Sequence, residues 1–485
     1  MISDAQYLAW LRSPEPKVLL AEMDYYDPVT ETIGTMYISD RGYNTNWSAG
    51  VEHRPYPDYL KTVPTARRTL GDGRPTRGEL IVDNTAGERD DWLMRFKWDG
   101  RKVRLLYGSA SWEYSDFRTV FLGVVKTRSA RGISELVFKL REPEDYLDRP
   151  LQSVTVATGP STGDYLPVCY GDCFNVTPVL IDGATHVYQV SDIEIDDVVL
   201  VKDNGKGPVS HTADLAAGTI TLAGAPVGAI TCDVIGAKVS AVVLEKAGEI
   251  IDHIITTRTD LPSEFYDSAA FTALDAAITW SHNLYVSGAM TARQAIERIL
   301  SSIGAKLSRT EAGAITVVRL ADPSETAAVA IGPDDFREDS LIASATELPW
   351  LNARLGYRRN WTVQESLDTV LTVDERAALT REFAIVTGSN DLAGVHPLGN
   401  QPDLIETTLT YQADAQDRLD ELLALYAVER FVFELHVYAV LYQFPVGSTV
   451  KLTADRYGFN AGVNCVVHDT DSVFTSGRAR LGLWR

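Results

Sequence analysis

The chain of 485 residues is 45% apolar, 23% charged and 9% aromatic. That is the composition of a globular protein with full-sized cores, not of a disordered or fibrous one. Its 45 basic and 66 acidic residues leave a formal net charge of −21, which argues against a general basic surface that wraps polyphosphate. At about 150 residues per domain the length predicts three or four domains.

The opening MISDAQYLAWLRSPEPK has no basic stretch ahead of an apolar one, and no run of about 18 apolar residues follows anywhere, so neither export nor a membrane segment is expected. Ser3 and Gln6 have capping-box spacing, Ile2 and Tyr7 the spacing of a hydrophobic staple, and the short helix they start should end before Pro14. In RFKWDGRKVRLLYG, Asp99-Gly100 lies between two alternating runs and predicts a type I′ hairpin. Leu136, Phe138 and Leu140 alternate with Val137, Lys139 and Arg141, and both runs are assigned to one sheet of an N-terminal β-domain, 1–150.

Residues 151–245 turn to Gly, Asp, Val and Thr with sparse charge. Short strands in HVYQV, VVLVKD and GTITL are cut by turns such as Asp203-Asn204-Gly205, which predicts a small all-β module. In the α+β module 246–340, Thr291 and Gln294 start a helix. Ile296, Ile299, Leu300 and Ile303 form its face and Gly304 its left-handed end. Strands near 305–308 and 314–319 follow, joined by Glu311-Ala312-Gly313. The C-terminal β-domain, 341–485, holds one long helix over about 414–428, with Ala415, Leu419, Leu422, Leu423 and Tyr426 on one face. An alternating strand follows through Phe431, Phe433, Leu435, Val437 and Ala439, and a last strand carries Leu481 and Leu483. The expected fold class is β-rich α+β: several β-barrel or sandwich domains with a few helices.

The chemistry-bearing patterns are few. Gly159-Pro160-Ser161-Thr162-Gly163 has the outline of a nucleophile elbow, but Pro167 disfavours the helix that must follow, which leaves a loop. Four cysteines, Cys169, Cys173, Cys232 and Cys465, are too few for a disulfide framework. Cys169, Cys173 and Cys232 are the candidates for a thiolate metal cluster, yet C-x3-C lacks the paired spacing of zinc and iron–sulfur sites. Reduced, buried thiols are expected. The eight histidines form no metal-binding pattern. Asp192, Glu194, Asp196 and Asp197, and Asp469 with Asp471, lack the glycine and terminal glutamate of a calcium loop and read as solvated turns. GDGRPTRG has neither P-loop nor dinucleotide spacing. No catalytic residue and no cofactor is assigned. The aromatics Trp92, Trp98, Tyr107, Trp112, Tyr114 and Phe117 crowd into one stretch, which suits a core or an interface. Trp92, Trp98, Trp112 and Tyr114 are the interface candidates.

The stretch DWLMRFKWDGRKVRLLYGSASWEYSDFRTVFLGVVKTRSARGISELVFKLREPEDYLDRPL resembles the opening β-domain of baseplate and tail-tip proteins of long, non-contractile-tailed bacteriophages (siphophages). LPVCYGDCFNVTPVLIDGATHVYQV is similar to a segment of tail proteins of such phages. FPVGSTVKLTADRYGFNAGVNCVVHDTDSVFTSGRARLGLWR resembles the closing barrel of tail hub proteins. The resemblance implies a non-enzymatic structural protein of the virion, assembled in the host cytoplasm: a tail-tip or baseplate hub that joins the tail tube to fibres or a central spike. It implies a homo-oligomer, a trimer before a hexamer, whose partners are a distal tail or tube protein, tail fibres, a central spike and a tape measure. Genome DNA would meet the protein only while passing through the channel during ejection. The alternatives are a receptor- or carbohydrate-binding tail protein, for which 151–245 is the place to look, and a cell-wall hydrolase.

Overall fold

The computed structural model describes residues 2–45, 53–62, 66–69, 78–310, 312–438, 444–473 and 478–485. The protein is a β-rich α+β fold. Helix α1 (Asp4–Arg12) is closed by the expected reciprocal cap: Gln6 N–H donates to Ser3 Oγ, and Ser3 N–H donates to Gln6 Oε1 at 2.8 Å. Tyr7, Trp10 and Leu11 enter the first core, with Ile2 packed beside them.

That core belongs to a sheet of β1 (Lys17–Asp27), β2 (Thr32–Ser39), β3 (Leu60–Thr62), β5 (Glu79–Asp83), β6 (Lys102–Ser109), β7 (Arg118–Arg131) and β8 (Glu135–Arg141). The intervening β4 (Ala66–Thr69) pairs elsewhere. The spatial order is β2-β1-β6-β7-β8-β5-β3, all antiparallel. At one edge Ser39 N–H of β2 donates to the carbonyl of Pro57, in the segment that leads into the other edge strand, β3, at 2.8 Å. One face of β1 sends Leu19, Ala21 and Met23 into the core under α1; the other sends Val18 and Leu20 into a second cluster with Tyr43, Tyr56 and Phe117. Burial on both faces is why VLLAEM reads as a run and not as an alternation.

The Asp99-Gly100 turn differs from its expected form. Gly100 has φ +70° while Asp99 stays at negative φ, and Arg101 N–H donates to the Trp98 carbonyl at 2.8 Å, the φ pattern of a type II turn. RFKW is not a partner strand: α2 (Asp90–Met94) runs into it, Lys97 bridges to Tyr26 and Asp99 to Val125. The type I′ hairpin occurs instead at Asn204-Gly205, with φ +50° and +79° between Asp203 and Lys206.

The stretch 151–245 is all β, but it is not closed on itself, because Val168–Tyr170 pairs with Leu284–Val286. The next core packs α3 (Ala247–Arg258), α4 (Ser268–Ala277) and α5 (Ala292–Ser302) around Ile250, Ile254, Phe271 and Ile299. Helix α5 carries the Thr291/Gln294 box, and Gly304 has φ +68°. The sequence did not show α3 or α4. In α3 the β-branched IITTR and the uncapped Lys246 mimic a strand, although burial of Ile250, Ile251, Ile254 and Ile255 has helical spacing. The hairpin Ala305–Arg309 with Ile315–Arg319 is as expected; Glu311 of its turn lies outside the described residues, as do most of GDGRPTRG and Ala439.

The last sheet comprises β9 (Val329–Ile331), β10 (Ile342–Glu347), β11 (Arg430–Tyr438), β12 (Thr449–Leu452), β13 (Val463–Val473) and β14 (Arg478–Trp484), in the order β9-β12-β13-β14-β11-β10, with β4 added to β13. Between β10 and β11 lie a three-stranded sheet, α6 (Val373–Thr380) and α7 (Gln412–Leu425). Helix α7 buries Ala415, Leu419, Leu422 and Leu423, and Tyr426 stacks on Trp350 at 4.3 Å.

The two large sheets share a topology. Taken in chain order, β3, β5, β6, β7 and β8 correspond to β10, β11, β12, β13 and β14. The spatial orders β6-β7-β8-β5-β3 and β12-β13-β14-β11-β10 are the same and wholly antiparallel. They differ at the next strand, where β1 joins β6 antiparallel and β9 joins β12 parallel.

Candidate assembly surfaces

The crowded aromatics divide by burial. Trp98 is fully buried, its Nε1–H donating to the Trp92 carbonyl at 2.5 Å and its ring edge-on to Phe138. Trp92, Tyr107 and Phe117 are buried in the same two clusters. Of the interface candidates, Trp112 and Tyr114 keep part of their surface exposed. Trp112 packs on Trp10 at 4.3 Å. Tyr114 joins a buried ion network that the sequence does not reveal: Tyr56 OH and Tyr114 OH donate to Glu22 Oε1 at 2.7 and 2.6 Å, and Arg104 donates to Oε2 through Nε and Nη2 at 3.0 and 2.7 Å. Burial pushes the Glu22 carboxyl up, but the Tyr114 and Tyr56 hydrogen bonds and the Arg104 charge outweigh it and hold the pKa below the ordinary value.

The candidate thiols Cys169, Cys173 and Cys232 do meet, in one apolar core with Val176, Val201 and Tyr285. All are free and buried, and burial raises the Cys173 and Cys232 thiols. Cys465 lies in the core of the last sheet. Among the described residues no group of three or more His, Cys, Asp and Glu side chains is placed to hold a metal ion, and no helix is long and apolar enough to cross a membrane. GPSTG is a loop closed by a Thr155–Tyr165 bridge, with no helix after Ser161. Two acids read as solvated turns are buried instead. Asp192 accepts from Arg258 Nη1 and Nη2 at 2.6 and 2.7 Å, and Asp469 lies 3.2 Å from Arg480. Each charge is buried because a cation meets it, from 66 residues away for Asp192 and from the paired strand β14 for Asp469. A cleft of about 500 Å³ beside β1 and β3, lined by Lys17, Arg41, Lys61, Glu15 and Asp40, mixes both signs of charge.

Sheet edges are the more specific feature. Strand β12 occupies one side of β13 only along 463–466; beyond it β4 pairs with 469–472, in the register Asp469↔Thr69, Thr470↔Arg68, Asp471↔Arg67 and Ser472↔Ala66. The first part of the chain thus adds a strand to the last sheet. At the corresponding place, β6 occupies β7 along 118–124 and Asp99 bridges to Val125. Past that point, among the described residues, 126–131 pair only with β8. These residues, Lys-Thr-Arg-Ser-Ala-Arg, are exposed apart from half-buried Arg128, which donates to the Leu93 carbonyl at 2.9 Å. Strand β2 is also an edge, and its Ile33 is exposed.

No family model and no curated protein matches the chain. Among solved structures it is similar to a tail protein from Neisseria meningitidis MC58 (8% identity, TM-score 0.38, covering 92% of this chain and 96% of that one). It is similar to the prophage tail protein gp18 from Listeria monocytogenes EGD-e (8%, 0.41, 97% and 94%). A third is the 43 kDa tail protein of prophage MuSo2 from Shewanella oneidensis (8%, 0.38, 96% and 98%).

Proposed function

We propose that the chain is a structural protein of a bacteriophage tail tip, a hub that forms a closed ring around the channel and joins the tail tube to fibres or a central spike. The observation that carries this reading is the five-strand order repeated at the two ends of the chain, with β4 of the first part added to the last sheet. Two alike units joined by one directed contact are the material of a ring, because a head-to-tail contact either closes or grows into a fibre. Three copies carry six such units and match a sixfold tube, as the sequence resemblance implies. The charge of −21 fits a wall that repels DNA phosphates and lets the genome slide.

Native mass spectrometry of the purified chain, with symmetry-free classification of tail tips by electron cryomicroscopy, tests the reading. Three copies are expected. Six copies would replace the trimer by a distal-tail-like ring, and a monomer in the assembled virion would overturn the ring.

A further inference from the structure

We propose that the edge of β7 over residues 126–131 takes an added strand from a second copy of this chain, supplied by the acidic insert 348–429 that joins its β10 to its β11. The inference rests on the ring reading above and specifies which edge closes it.

Position is the first support. Strands β7 and β13 hold the same place in the two repeated sheets, and the free half of β13 is filled by β4. The same half of β7 has no neighbour on that side among the described residues. Such an edge presents unpaired N–H and C=O groups, which a strand of another chain satisfies.

Charge is the second. Along β7 the edge reads Lys-Thr-Arg-Ser-Ala-Arg, with Arg131 on Glu79 at 2.8 Å, Arg128 3.7 Å from Asp99 and Lys126 exposed. Opposite charges facing across strands stabilise and like charges destabilise, so a basic edge without an acidic residue calls for an acidic donor.

The third support is the source of that donor. Strand β4 lies in the chain between β3 and β5. The corresponding place in the last sheet, between β10 and β11, is residues 348–429, where acidic residues outnumber basic ones. Glu365, Asp391 and Asp403 are exposed there, outside its helices and strands. Within one chain the donation runs from first sheet to last. Between copies the insert of one chain reaches the first sheet of the next, and repetition of that step closes the ring.

The test places a benzophenone photocrosslinker at Thr127 and, separately, at Ala130 in the full chain, mixes 15N-labelled with unlabelled protein and maps the linked peptides. Mixed-isotope links from 126–131 into 348–429 are expected. Native mass spectrometry showing a ring, with links that stay within one chain, reach other segments or do not form, would overturn the edge and leave the ring standing. A chain that stays monomeric and gives no mixed-isotope link would overturn both. Lys126→Glu with Ser129→Glu, at exposed positions, should keep the melting midpoint of the monomer and weaken assembly roughly tenfold, the effect of reversing one facing charge and adding a second like charge. Unchanged assembly with an intact fold would overturn the charge argument.

Discussion

Glu22 sits near the middle of β1 on the face covered by Tyr56 and Tyr114, and it is 9% exposed. Replacing it by Gln removes the charge that Arg104 faces and turns one of the two acceptor oxygens into an NH2 donor, which then opposes either Arg104 or the two hydroxyls. Glu22→Gln should therefore cost about 2–4 kcal/mol at pH 7, read as a lower urea midpoint. The native pKa lies below the ordinary 4.5, so ionised Glu22 stabilises the fold above that value. This stability is lost as pH falls through the native pKa. The gap in urea midpoint between wild type and Glu22→Gln should accordingly be constant near neutrality and shrink below about pH 4.5; a gap unchanged at pH 3 would mean that the carboxylate is not held by this network.

Local turn and cap chemistry decides several elements. Gly100 has φ +70°, so Gly100→Val forces a β-branched side chain into the left-handed region and should lower stability by about 1 kcal/mol or more, checked by thermal melting. The prediction is unchanged by the turn being type II, since both forms need positive φ at that position. In α5, Gln294 N–H donates to Thr291 Oγ1 at 3.2 Å and Thr291 N–H to Gln294 Oε1 at 3.0 Å. Thr291→Ala should cost about 1 kcal/mol and raise amide exchange in the first turn of α5. Helix α6 has the same device at Thr372 and Glu375; the T-x-x-E signal stands in the sequence, but only Leu379 of that helix is buried, so no periodic apolar face accompanies it.

On the scale of the molecule, β4 ties the first part of the chain to the last sheet through backbone pairing at 66–69. Proline donates no hydrogen bond and is excluded from paired positions. Arg67→Pro with Arg68→Pro should release β4, speed amide exchange at the alternate residues of 469–472 whose N–H points to β4 and leave the core of the last sheet protected. Exchange that stays slow at those residues would show that another segment covers the edge.

Capping boxes, the apolar face of α5, the Asn204-Gly205 turn and the β-rich class were legible because each depends on residues a few positions apart, within reach of one turn or one strand. The same locality set the limits. Trp98 and Trp112 have the same composition signal, and only the fold buries the first and half-exposes the second. Asp192 and Arg258, 66 positions apart, form a buried pair that no spacing rule could find. The ion network of Glu22, the meeting of Cys169, Cys173 and Cys232, and the repeat of the five-strand order rest on contacts between distant segments. Strand pairing fixes order and register in space while leaving the connections free in length, so the 82 residues of 348–429 hide from the sequence a topology that the tertiary structure makes plain.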